Sequence, residues 1–292
     1  MKYINVKTLI ATRTRLTLGI MATLILTPPA CASSALNLGS AANYGLVDLG
    51  QNTTLSINSG PLTSVLVGNS ANVHLSGGNN GAIPGGLYTD GTANISGSLQ
   101  NPFTTTTVAP TLTQSAFVSA QSVSSYAAGL AATRTYGNLS NSVTITGNGG
   151  LNVIDVASIQ NAPLTITGNS NDVFVFNISG KFQTNQAMTL VGVSPSQLLF
   201  NFTGTSGNVL QTSGGDVLYG TFLAADGGQF QFSELNLTGA LINTGGDVQF
   251  VSGSKTTFSP FNSVPEPSML GLVGVGFLSI ALYRYRPPTS RG

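Results

Sequence analysis

The sequence predicts a mainly β protein: an irregular right-handed β-solenoid with one long flanking α-helix, and an apolar helical segment at each end. Short runs of alternating apolar residues are broken by Gly, Asn and Ser, a pattern typical of short strands joined by tight turns. Several of these runs recur after about 20 residues, which is the length of one solenoid coil. A single alanine-rich stretch shows helical spacing instead.

The first element is a predicted signal peptide at residues 1–32, with a signal helix. Four basic residues precede an apolar run over 16–27, which is too short to span a bilayer. Ala30 and Ala32 are the small residues of a site at which a signal peptidase would cut before Ser33. This cleavage would remove Cys31, the only cysteine, so the mature chain would hold no disulfide.

The predicted body covers residues 33–262 and contains three internal repeats. The segment 143–148 returns at 164–169, 176–180 returns at 200–204, and 220–223 returns at 239–242. Stacked coils would place such repeats side by side, with their apolar residues pointing inward. A β-sandwich whose strands resemble one another is the alternative.

The predicted long helix covers about 112–134. Its small and apolar residues fall on one side, and an alanine-rich side allows close packing along a flat sheet. This side consists of Ala116, Ala120, Val123, Ala127 and Leu130. Residues 100–110 are predicted to be the linker that leads into the helix.

The C-terminal element covers 263–292 and begins with Val264, Pro265, Glu266 and Pro267. An uncharged run at about 268–283 predicts a transmembrane helix, and three arginines follow it. This order of motif, helix and basic end resembles the PEP-CTERM sorting signal of Gram-negative bacteria. The resemblance implies that an exosortase recognises Val264 to Pro267, and that the protein stays in the inner membrane until it is processed. An ordinary single-span anchor is the alternative.

The body carries family resemblances of its own. Residues 161–254 resemble the ice-binding β-solenoids of secreted bacterial and fungal proteins, and the stretch 218–250 resembles the final coils of that family. The segments 199–202 and 220–225 also resemble strands of the choice-of-anchor A surface proteins. Both resemblances imply a β-rich exported body, and neither implies a reaction.

The charge distribution excludes nucleic-acid binding. Four of the ten Lys and Arg residues precede Ser33 and three follow Tyr283, whereas eight of the nine acidic residues lie within the body. The body therefore has a formal charge of −5. A nucleic-acid surface needs several cations on phosphates, and the body has only three.

The body contains few residues that could carry out chemistry, and we predict no catalytic, cofactor-binding or metal-binding residue. His74 is the only histidine, and its alternation with Val73 and Leu75 predicts a solvated position. Without His and Cys ligands a zinc-type site cannot form. Four acids are best explained by turn chemistry, because Asp favours turns: Asp216, Asp226, Glu234 and Asp247.

The candidate ice-binding residues are Thr144, Thr146, Thr165 and Thr167, which alternate along two strands that repeat each other. The sequence therefore predicts a non-enzymatic surface or extracellular-matrix protein that is exported and sorted by an exosortase. The first alternative is an ice-binding protein of the same fold. The second is a carbohydrate-binding or carbohydrate-active β-solenoid, with an extracellular polysaccharide as its partner.

Overall fold

The computed structural model describes residues 36–262, except 59, 69, 77–80, 100, 102 and 205–206. The predicted signal helix and the predicted transmembrane helix lie outside the described residues, as do the cleavage site and the Pro-Glu-Pro motif.

Twenty-one short strands and one long helix make up the described chain. Before the helix lie seven strands: β1 Leu46–Asp48, β2 Thr54–Ile57, β3 Val65–Val67, β4 Asn72–Leu75, β5 Leu87–Thr89, β6 Asn94–Gly97 and β7 Thr105–Thr107. Helix α1 is Pro110–Gly129. After it come β8 Arg134–Leu139, β9 Val143–Thr146, β10 Leu151–Gln160, β11 Leu164–Thr167, β12 Val173–Ile178, β13 Phe182–Thr184, β14 Thr189–Val191, β15 Leu198–Phe202, β16 Asn208–Thr212, β17 Val217–Ala224, β18 Gln229–Ser233, β19 Asn236–Asn243, β20 Val248–Ser252 and β21 Lys255–Phe258. Two 3₁₀ turns lie at Gly39–Asn43 and Pro195–Gln197.

All the described strand pairs are parallel, and they form three ladders. The first ladder runs β7–β5–β3–β1–β19–β17–β15–β12–β10–β8. The second runs β6–β4–β2–β20–β18–β16–β13 and continues onto the ends of β10 and β8. The third has two separate parts. One part contains β9, β11 and β14, and the other contains the first halves of β17 and β19 together with β21. Successive coils that stack in this way form a β-solenoid-like fold.

The repeats in the sequence match the observed register. Thr144 pairs with Thr165, Phe176 with Phe200, and Gly220 with Gly239. The prediction that these segments stack on one another is therefore confirmed, and the β-sandwich alternative is wrong. A sandwich would bring antiparallel strands together, whereas these strands are parallel neighbours of one another.

The order of coils along the stack differs from their order in the chain. β1 lies between β3 and β19, because Leu46 pairs with both Val65 and Leu241. β2 lies in the same way between β4 and β20. We call these two pairings, β1–β19 and β2–β20, the seam. The N-terminal coils extend from the seam to one end of the stack. The coils that follow the helix begin at the other end of the stack and lead back to the seam.

Helix α1 covers the outer side of the first ladder. Ala116, Ala120, Val123 and Ala127 are buried, as their spacing predicts. They pack in one apolar layer with outward residues of the ladder, among them Val47, Leu66, Val175, Leu199, Leu223 and Ile242. Polar contacts fix the helix along the stack. Ser124 Oγ donates to Asn201 Oδ1 (2.7 Å), and Asn177 Nδ2 donates to the carbonyl of Ala127 (2.8 Å).

The helix starts two residues earlier and ends five residues earlier than predicted. Pro110 can occupy the first turn because that turn leaves N–H groups unpaired in any case, so it starts the helix. Leu130 has extended backbone, and Arg134 begins β8. The predicted linker is also corrected, because Thr105–Thr107 pairs with β5 as the outermost strand of the first ladder.

Among residues 36–262, within the described positions, no helix is long and apolar enough to cross a membrane.

Candidate functional site

The four candidate threonines lie together on one solvent-facing surface of the third ladder. Thr144 and Thr146 of β9 pair in register with Thr165 and Thr167 of β11. The intervening Ile145 and Ile166 are fully buried, so the threonines must face outward. The register confirms that the two strands stack on one another, and the assignment of these threonines to an ice-binding surface stays a prediction.

The structure adds a third strand that the sequence analysis missed. Thr189 and Val191 of β14 pair with Thr165 and Thr167. Thr189 is exposed, and Leu190 between them packs on the core. We define the threonine face as the outward residues of these strands: Thr144, Thr146, Thr165, Thr167, Thr189 and Val191.

A second group of outward hydroxyl-bearing side chains lies on the first halves of β17 and β19 and on β21. Tyr219 pairs with Thr238, and Thr238 pairs with Thr257. This group is separate from the three strands of the threonine face, because β9, β11 and β14 form a sheet of their own.

Asp172 fixes the turns beside the threonine face. It accepts hydrogen bonds from the N–H groups of Gly149 (2.7 Å) and Asn169 (2.9 Å), and from Nδ2 of Asn152 (3.1 Å). Burial opposes ionisation of this carboxyl, but the hydrogen bonds outweigh burial and lower its pKa. The Asp172 carboxylate therefore links the turn after β9 to the turn after β11 by hydrogen bonds, and these bonds help to hold the two strands in register.

The second ladder presents a different column of polar side chains. Five glutamines on consecutive strands are in register, and we call them the glutamine column: Gln160, Gln183, Gln211, Gln231 and Gln249. Their strand neighbours are buried apolar residues such as Phe182, Leu210 and Phe230, so the amides point outward. Ser56, His74 and Ser96 extend the column across the seam.

His74 lies where its alternation predicted. It is exposed, whereas Val73 and Leu75 on either side are buried, and its Nδ1 lies 3.2 Å from Ser96 Oγ. Among the described residues, its only close polar contact is thus with a serine on the surface.

The four acids predicted to serve turns do not converge on a common site. Asp216 is fully buried and accepts hydrogen bonds from the N–H groups of Ser213 (2.9 Å) and Gly214 (3.3 Å). Burial raises its pKa against these bonds, and the neighbouring Glu234 adds to the rise. Asp247 accepts the N–H of Thr54 across the seam (2.7 Å), while Asp226 and Glu234 are exposed. Within the described positions, no three His, Cys, Asp or Glu residues group as metal ligands.

Comparison with solved structures shows the same fold. The ice-binding protein of the Antarctic ascomycete Antarctomyces psychrotrophicus is 16% identical over 78% of this chain and 100% of its own, with a TM-score of 0.51. An ice-binding protein from an Arctic yeast is 18% identical over 80% of this chain and 99% of its own, with a TM-score of 0.52. The glycosylated form of the Arctic yeast protein is 17% identical over 81% and 98%, with a TM-score of 0.53. At such identities the likeness extends to the fold only.

Comparison with curated proteins gave no match. Comparison with protein families gave two. Residues 263–286 match the PEP-CTERM protein-sorting motif, which confirms that resemblance and implies export and sorting to the cell surface in Gram-negative bacteria. Residues 33–257 match the ice-binding-like adhesive domain. Because this match covers about three quarters of the chain, the protein belongs to the family of ice-binding-like adhesive domains and carries a PEP-CTERM sorting motif.

Proposed function

We propose that the protein is a non-enzymatic adhesive protein of the bacterial surface or extracellular matrix. One observation carries this proposal: an adhesive-domain match and a sorting-motif match follow one another on the same chain. In this proposal residues 1–32 are removed by signal peptidase between Ala32 and Ser33. Residues 33–262 form the body, with the right-handed winding that parallel connections favour. Residues 263–292 hold the chain in the inner membrane until an exosortase acts on Val264, Pro265, Glu266 and Pro267.

The acids of the body support a non-enzymatic function. Sugar hydrolysis needs two carboxyl groups that face the same bond. Asp216 is fully buried and holds its own turn, so a sugar cannot reach it. Asp247 is engaged with the backbone of Thr54. Asp216 and Asp247 thus stabilise a turn and the seam, and surface contact is the function that we propose for the body.

The sorting step is tested in the native host with an epitope inside the body. We expect the wild type outside the cell, shortened near Val264 by intact mass. The variant Pro265→Ala/Glu266→Ala/Pro267→Ala should stay full-length in the inner membrane. The control Pro287→Ala/Pro288→Ala changes two prolines of the same tail outside the motif, and it should behave as the wild type. If all three proteins remain full-length in the membrane, the tail is an anchor only.

Ice binding is the second candidate, and the threonine face favours it. Three strands in register present hydroxyl and methyl groups at strand spacing on one exposed surface, and the fold is shared with ice-binding proteins. Two strands were predicted, and the third enlarges the rigid surface that a crystal would contact.

Thermal hysteresis and ice-crystal shaping test this candidate. Thr165→Tyr places a bulky ring at the centre of the threonine face and should abolish both effects. The control Ser125→Tyr places the same ring on the exposed side of helix α1 and should change neither. Absence of hysteresis in the wild type would remove ice binding and leave the adhesive proposal intact.

A further inference from the structure

We propose that the glutamine column is an adhesive contact of this protein, and that it binds a neutral polysaccharide chain lying along the stack of coils. The inference rests on the proposed surface function and adds the binding face and the class of ligand. The argument begins with geometry. Five strands at about 4.8 Å spacing give a column about 19 Å long, with one amide on every strand.

Most of the side-chain amides in the column make no hydrogen bond to another described residue. Within the described positions, the side chains of Gln183, Gln211 and Gln249 make no hydrogen bond to protein. Gln160 donates to Ser158 Oγ (3.3 Å), and Gln231 accepts from Asn208 Nδ2 (2.8 Å). Each free amide offers two donors and an acceptor. A ligand that fits this column must therefore both accept and donate along its length, as a row of sugar hydroxyls does.

The charge of the column indicates a neutral ligand. None of its members is ionisable, and the nearest acid on its flank, Asp247, is bonded to the Thr54 N–H (2.7 Å). Lys181, which precedes β13, is the one cation beside the column among the described residues. A polyanion needs several cations along its length, so acidic polysaccharides and nucleic acids are poor ligands here.

The shape of the protein surface beside the column favours a sugar chain as the ligand over a flat crystal surface. A depression of about 150 Å³ lies beside three of its strands, β16, β18 and β20, and is lined by Asn208, Gln229, Phe230, Gln231, Asp247 and Gln249. A protruding ring can enter such a depression, whereas a crystal plane cannot. Glutamine also loses roughly 1.5–2 kcal/mol of side-chain entropy when it is immobilised. This cost disfavours matching to a rigid lattice, and it can be met by many weak contacts along a chain.

A second copy of the protein is a less suitable occupant. The column is about 19 Å long and roughly 10 Å wide, so it could bury only about 200 Å² on each partner, whereas a stable interface needs about 800 Å². A long polymer does not face this limit, because many protein molecules contact one chain at once.

The test uses the purified full-length protein and insoluble probes: amorphous cellulose as the neutral polysaccharide and calcium alginate as the anionic one. The wild type should be retained on cellulose at both low and high salt and should not be retained on alginate. The triple variant Gln183→Glu/Gln211→Glu/Gln231→Glu should bind cellulose roughly ten-fold more weakly, because each site loses its donors. The control Gln51→Glu/Gln114→Glu/Gln121→Glu adds the same charge away from the column and should bind as the wild type.

Several outcomes would overturn the proposal. These are no retention of the wild type on cellulose, equal retention of the triple variant and the wild type, or stronger retention on alginate. Loss of self-association or of ice adsorption in the triple variant, with cellulose binding unchanged, would reassign the column to a second copy or to ice. Unchanged melting curves show that the variants are folded, and Gln211→Asn gives a milder test that shortens one side chain. Export is scored separately by fractionation, so a failure of sorting is distinguishable from a failure of binding.

Discussion

Asp48 is a buried carboxyl group whose hydrogen bonding is incomplete within the described positions. It is completely buried at the end of β1, next to the seam. Its Oδ1 accepts from Thr53 Oγ1 (3.1 Å), while Oδ2 has no partner within the described positions. Burial raises the pKa of Asp48 to about 7, hydrogen bonds from Thr53 and Gly50 oppose the rise, and the neighbouring Asp247 adds to it.

This carboxyl group predicts that stability falls as pH rises. The pKa of Asp48 is higher in the folded state than in the unfolded state. The stabilisation that protonated Asp48 contributes is therefore fully present below about pH 4, and it is lost progressively as the pH rises to about 7. Asp48→Asn should therefore gain free energy of unfolding over the wild type as pH rises through this window. The gain has an upper limit of about 4 kcal/mol.

Urea unfolding at pH 4, 6 and 8 measures this difference. Asp226→Asn makes the same exchange at an exposed aspartate and serves as the control. A constant difference between Asp48→Asn and the wild type across the three pH values would contradict the prediction.

At the scale of elements, the core of the later coils is a ladder of phenylalanines. Phe176, Phe200 and Phe222 stack with ring centroids 4.6 Å apart at each step and nearly parallel planes. Phe182 lies beside two of these rings, at 5.8 Å from Phe200 and 5.9 Å from Phe222. Each ring thus supports the strand above and the strand below, and the ladder holds β12, β15 and β17 in register.

Phe200→Ala should lower the free energy of unfolding by about 3–5 kcal/mol, because it empties a buried site between two stacked rings. Phe200→Leu should cost less, since it refills most of the volume. Tyr126→Ala removes an aromatic side chain that is 45% exposed on helix α1, and it should change stability by less than about 0.5 kcal/mol. Equal effects of Phe200→Ala and Tyr126→Ala in thermal unfolding would refute the central position of this ladder.

The elements also show which patterns a sequence can reveal. β9 and β11 were predicted to stack because both read as hydroxyl-apolar alternation followed by Gly-Asn. β14 escaped notice because Val191 replaces the second threonine and the shared motif is broken. The glutamine column was missed because its members are 23, 28, 20 and 18 residues apart, so no fixed period exposes it. The number of residues between successive strands differs from coil to coil, while the strands themselves remain in register.

At the scale of the molecule, the fold class and the helix followed from local patterns, but the seam did not. Leu46 and Leu241 are paired neighbours although nearly the whole body separates them in sequence. Apolar alternation tells which side of a strand is buried and does not tell which strand lies beside it. The position of the N-terminal coils could therefore be learned only from the three-dimensional structure.

A cysteine pair tests the seam directly. Ser56 of β2 and Gln249 of β20 are paired neighbours, and strands at about 4.8 Å lie within the reach of a disulfide. Ser56→Cys/Gln249→Cys should form an intramolecular disulfide under mild oxidation and should raise the melting temperature. The control pair His74→Cys/Gln249→Cys lies two strands apart, about 9.6 Å, and should not form one. Bridging in both variants, or only in the control, would contradict the order of strands.

The seam also determines how the chain must assemble after export. The N-terminal coils leave the translocation channel first, yet β1 and β2 gain their second neighbours only when β19 and β20 arrive. Until then, two parallel strands present unpaired N–H and C=O groups, which can capture the matching strands of another molecule. Crowded secretion would therefore favour exchange of the C-terminal coils between molecules, giving linked chains in which every coil keeps its native neighbours. Under the adhesive function that we propose, such exchange is a route from single molecules to a matrix.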